Sequence, residues 1–133
     1  MSRQGIIAAR TYAEDLPSFE SLEVAREQLL VAQKETLSEL LREHGVSLNL
    51  DFSPESLKRL EKWYSESGSP EAGDSGYSIP HAIGFYFGEI LCRTSGFSWV
   101  VEEFPFQRGK YGIGVKRPLL DVVQCQQTPE LRS

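Results

Sequence analysis

The stretch SIPHAIGFYFGEILCRTSGFSW, residues 78–99, decides how the chain is read. It is apolar almost all the way round a helix, yet holds two glycines one turn apart, Gly84 and Gly88. Glycine inside a helix costs about 1 kcal/mol relative to alanine, so each of these positions asks for a close neighbour. The helix opens near Ser78 to Pro80 and ends before Gly96. Ile83, Phe87 and Ile90 fall on one face, and Gly84, Gly88 and Leu91 on the next, with His81 and Cys92 at its edge. That leaves a narrow strip for solvent: Ala82, Tyr86, Glu89 and Arg93. A helix this apolar belongs at the centre of its fold.

After Gly96 the period drops from about 3.6 to about 2 residues. FSWVVEEF (97–104) alternates Phe97, Trp99 and Val101 against Ser98, Val100 and Glu102, a strand pattern. QRGK (107–110) is a turn, and YGIGV (111–115) a second strand with Gly112 and Gly114 on one face. LLDVVQC (119–125) reads as a third strand after Pro118. The glycines then have a structural explanation. The bare faces of helix and strand approach each other closely, or one pair makes room for a large ring such as Trp63 or Trp99.

Two helices precede this unit. The first is expected from Phe19 to His44, capped by Ser18 and closed by Gly45. Phe19, Leu22, Leu29, Leu30, Leu37, Leu40 and Leu41 share its apolar face, with Arg26, Gln33 and His44 near the middle. Glu35, Glu39 and Glu43 form an acidic stripe on the other side, beside Val24 and Val31, which suit a dimer contact. Like charges spaced i,i+4 disfavour a helix slightly, so a basic partner would relieve the stripe. The second helix starts at FSPESL: Ser53 caps, Pro54 suits the first turn, and Phe52 staples against Leu57. It runs through Leu60, Trp63 and Tyr64 to about Ser67. SESGSPEAGDSG (65–76) follows as a flexible, solvated loop.

The 133 residues fit one α+β domain spanning 1–133. Net charge is −5, and the acidity lies before Pro70, where eight Lys/Arg face twelve Asp/Glu. No basic patch marks a nucleic-acid partner. Two cysteines far apart, Cys92 and Cys125, form no disulfide framework and suit a reducing cytosol. No stretch has the length of a signal peptide or a membrane span, so a cytoplasmic location is expected.

Catalytic constellations are thin. GxxxxGK[ST] and GxGxxG are absent. His81, Cys92 and Cys125 match no metal-binding spacing, and neither metal nor cofactor is expected. His81 and Cys92 stand roughly 16 Å apart along one helix and cannot meet. Glu89 with Glu102 or Glu103 could pair as acid and base, although a solvated strand end and a helix surface pair explain them far better. The favoured binding residues are Glu89, Tyr86 and Arg93 on the polar strip, with Trp99 on the strand it leads into. A carboxylate beside aromatic rings recognises cations. A second candidate surface is the stripe Glu35, Glu39 and Glu43.

SPESLKRLEKWY, GFYFGEIL, FSWVV and RPLLDVV, in that order, resemble small bacterial domains of unknown function over residues 52 to 124. In these, a G-x-x-x-G-E helix precedes a Trp-bearing strand, and some members look like immunity proteins. The resemblance implies an α+β domain and carries over no catalytic residue. Together the readings give three helices packed on one face of an antiparallel sheet of about three strands. The expected function is a non-enzymatic interaction module, immunity-type or accessory, for a basic protein, as monomer or homodimer. The alternative is a small-molecule-binding or hydrolytic protein with its site at the edge of the third helix.

Overall fold

The computed structural model describes residues 16–117. The order is α1 (Leu22–His44), α2 (Pro54–Glu66), α3 (Ile79–Ser95), β1 (Ser98–Glu103) and β2 (Tyr111–Lys116). The fold class is α+β. Among the described residues the antiparallel sheet has two strands where about three were expected, and 119–125 lies outside them.

α1 begins three residues later than its periodicity suggests. Ser21, not Ser18, is the cap, its side chain accepting the Val24 N–H at 3.2 Å. Ser18 instead bridges Lys110: the Phe19 N–H donates to Gly109 O and the Tyr111 N–H to Pro17 O. Phe19 packs edge-on against Tyr111, ring centroids 6.0 Å apart. An extended entry that packs this ring on the sheet takes precedence over three more residues of helix. The caps of the other helices are as the sequence reads. Ser53 and Ser78 accept from Ser56 N–H and His81 N–H, and Gly96 closes α3 in the left-handed conformation at φ 75°.

α1 and α3 cover the same face of the hairpin, while α2 packs on α3 and does not reach the sheet. One core joins Leu37 and Leu40 of α1, Leu60 of α2 and Ala82, Tyr86 and Ile90 of α3. A smaller one joins Ala25 to Val101 and Tyr111. α3 is thus the central helix.

Its orientation, however, differs from the reading of its sequence. Ala82 and Tyr86, assigned above to solvent, are completely buried, and Phe87, assigned to the core, is half exposed. The cause is the composition of α3. When nearly every position is apolar, hydrophobic periodicity carries no phase, and the buried face is set by what the neighbours offer. Here α2 offers a hydroxyl to Tyr86, as described below.

The glycine faces do not meet. A Cβ on Gly88 would lie 2.5 Å from Trp99 Cη2 and 3.2 Å from Val115 Cγ1. Around Gly84 and Gly114 nothing approaches within 4 Å, and Gly112 has only ordinary contact with Leu16. One glycine of the four makes room for a ring, and that ring is Trp99.

Candidate functional site

Trp99 lies on the inner face of β1, against Gly88 of α3. Its indole Nε1–H donates to Glu89 Oε1 at 3.0 Å, and Arg93 Nε donates to Glu89 Oε2 at 3.1 Å. The Arg93 guanidinium lies 3.8 Å above the ring of Phe52, a cation–π contact. The opposite face of that ring is stacked on Tyr86, centroids 4.8 Å apart. The Tyr86 hydroxyl accepts the Phe52 N–H at 2.8 Å and bonds Ser56 Oγ, which donates to Ser53 O. One continuous network therefore runs from the strand through α3 to the start of α2.

The four residues expected to form a site are all in this network, but not as a shared surface. Glu89, Arg93 and Trp99 touch directly. Tyr86 joins them only through Phe52 and is sealed from solvent, so its role as a binding residue on a polar strip is corrected. Phe52 itself has φ 63°, a left-handed conformation costing roughly 1–2 kcal/mol for a side chain with a Cβ. The Tyr86 hydroxyl and ring, with Arg93, hold it there. Phe52 was expected only to staple α2, and Ser56 was not singled out. Their partner is 30 or more residues away, beyond any local signal.

The Trp99 indole, followed by Arg93, holds the Glu89 carboxyl below its ordinary value, against an opposing effect of burial. Both oxygens already accept from the chain's own donors, so a cationic ligand would compete with Arg93 for the carboxylate. The nearby Cys92 thiol is pushed up, by burial and then by Glu89, the reverse of an activated nucleophile. No three His, Cys, Asp or Glu residues lie close enough to hold a metal among the described residues. His81 is exposed, and Cys125 lies outside that range.

The acidic stripe is also largely engaged. Each i+4 step turns 40° about the helix axis, so Glu35, Glu39 and Glu43 wind from solvent toward the core. Glu35 is exposed, whereas the Glu43 side chain is 8% exposed. The segment 71–77 straps across them. Glu43 accepts from the Asp74 N–H and the Tyr77 hydroxyl, and Glu39 from the Ser75 hydroxyl and from Arg42. Burial and Glu43 push the Tyr77 phenol above its ordinary value, keeping it a donor. The stretch expected to be a free loop is exposed at many positions but tethered at Asp74 and Ser75 and, just past its end, at Tyr77, and Glu39 and Glu43 do not present a free surface to a partner.

Arg42 and then Ser75 hold Glu39 below its ordinary value. A carboxyl with a depressed folded pKa adds stability that is present above the unfolded value and lost as pH falls through the folded one. For Glu39 and Glu89, whose ordinary value is 4.5, the loss falls in the acid range below it. Unfolding stability should therefore be level from about pH 7 to 5 and decline below about 4.5. Glu89→Gln should flatten part of that decline in urea titrations at stepped pH; an unchanged slope would show the clamp to be absent in solution.

No helix among the described residues is long and apolar enough to cross a membrane. No curated protein matches the chain. No solved structure matches it either. Residues 18–130 match the family model described as Uncharacterised protein YwmA, a span that includes all three helices and the strand of Trp99, and the chain belongs to that family.

Proposed function

We propose that the protein is a non-enzymatic, cytoplasmic interaction module that docks a basic protein partner through the solvent face of α1. One observation carries this reading. Glu23, Glu27 and Glu35 are exposed there, and Val31, 50% exposed, lies between Glu27 and Glu35. None of the three carboxylates has an ion-pair partner among the described residues. An acidic surface alone confers solubility; acids flanking a half-exposed apolar side chain suit a contact. Two partly buried ionisable groups of α3 favour binding over catalysis as well. Glu89 is held ionised and Cys92 protonated, and neither is poised for proton transfer near neutrality. With the resemblance noted above, the reading extends to an accessory or immunity-type role.

The test is capture of the native complex with the tagged full chain, compared with a Glu23→Lys/Glu27→Lys/Glu35→Lys variant. The expected result is loss of the partner at ionic strengths where the parent retains it, with an unchanged circular dichroism spectrum. Retention of the same partner by the folded variant at the same salt would overturn the proposal.

A further inference from the structure

Among the described residues, β1 has a neighbour on one side only. The register sets Glu103 opposite Tyr111, and just beyond it the Phe104 N–H donates to Lys110 O at 2.6 Å. Hydrogen-bonded and non-bonded pairs alternate in an antiparallel ladder. Ser98, Val100 and Glu102 therefore bond to β2, while the N–H and C=O groups of Trp99, Val101 and Glu103 point away from it. The other strand confirms this phase, because the Tyr111 N–H points outward to Pro17 O. That bond and the Ser18–Lys110 bridge cap the outer side of β2 at its start. Nothing among the described residues pairs with the outer side of β1.

A groove of about 450 Å³ runs beside this edge, between β1 and α1. Four consecutive strand residues, Trp99 to Glu102, form one wall, and Leu22, Arg26 and Leu30 form the other. Glu102 is already paired with Lys116 across the hairpin. Arg26 is exposed and has no ion-pair partner among the described residues. The groove thus offers alternate backbone donors and acceptors, an apolar lining and one uncompensated cation.

We propose that this edge of β1 receives an extended segment of a partner protein as an added strand, with apolar side chains toward Leu22 and Leu30 and a carboxylate against Arg26. Strand addition draws affinity from main-chain hydrogen bonds and specificity from side-chain pockets, and an unpaired edge is a template for it. The inference rests on the reading of the chain as a binding module and adds a second contact. The docked partner is basic in its overall charge toward the outer face of α1 and carries a local carboxylate at the groove.

The probe is a synthetic heptapeptide with valine at alternate positions and a glutamate among intervening threonines, titrated into the isotope-labelled full chain. Expected are slowed amide exchange at Trp99, Val101 and Glu103 and a shift of the Trp99 indole resonance. N-methylation of alternate peptide amides should weaken binding about tenfold or more, through the loss of edge hydrogen bonds. Arg26→Glu, an exposed substitution, should weaken the glutamate peptide about threefold and favour its lysine counterpart instead.

Three results would overturn the inference: equal binding of the N-methylated peptide, indifference to Arg26→Glu, or slow exchange of these amides in the chain alone. In the last case, dependence on protein concentration identifies a second copy as the occupant, and independence identifies the chain's own residues. The triple charge reversal on α1 leaves Arg26 and the strand edge intact. Loss of the native partner there, with peptide binding retained or lost, separates failure of the edge from failure of the acidic face.

Discussion

Replacing Tyr86 with alanine is expected to remove about 3–5 kcal/mol of folding stability, the range for deleting a buried aromatic ring. In a protein whose total stability is about 5–15 kcal/mol, such a loss leaves little margin, and urea midpoints should fall steeply. The ring is fully buried between α3 and the α1–α2 layer. Its loss would also remove the support under Phe52, whose left-handed backbone is retained only while something holds it. Tyr86→Phe isolates the hydroxyl. It keeps the ring but leaves the Phe52 N–H without its acceptor and the Ser56 hydroxyl with only its bond to Ser53 O, at about 1–3 kcal/mol. Near-parent stability of the alanine variant would mean that Tyr86 lies outward, as its sequence position suggested.

That position shows where sequence reading succeeds and where it stops. Helix caps are local, and Ser53–Pro54 and Ser78–Pro80 were legible because the cap and its N–H partner sit three residues apart. The change of period at Gly96 was equally legible, since a strand alternates whatever it packs against. Neither the phase of α3 nor the fate of the acidic stripe is local. Tyr86 turns inward because Ser56, 30 residues earlier, offers a hydrogen bond. Glu43 is covered because Tyr77, 34 residues later, reaches it. Glu89, Arg93 and Trp99 were singled out together because the polar strip of an apolar helix leads into the Trp strand; the bond from the indole N–H to Glu89 is visible only in the structure. The same residues had been assembled as an open recognition site, because the sequence does not show that each carboxylate oxygen already accepts a bond from within the chain.

The two glycines of α3 should respond to substitution in opposite directions. Gly88→Leu is expected to destabilise by about 1–3 kcal/mol through overpacking, because its Cβ would fall within 2.5 Å of the Trp99 ring. The indole cannot retreat freely. It is pinned by its bond to Glu89 and backed by Phe85 at a centroid distance of 6.0 Å, so relief for the new side chain means breaking the clamp. Besides the fall in urea midpoint, the indole N–H resonance of Trp99 should move toward the position of a water-exposed indole. Gly84→Ala has no such neighbour and an ordinary helical backbone. It should stabilise by about 0.4–1 kcal/mol, because alanine restricts the unfolded chain more than glycine does. A pair of glycines required for the mutual approach of helix and sheet would make both variants unstable. Opposite signs, measured under the same conditions, identify Gly88 as the seat of Trp99 and Gly84 as an unconstrained position on the outer side of the same helix.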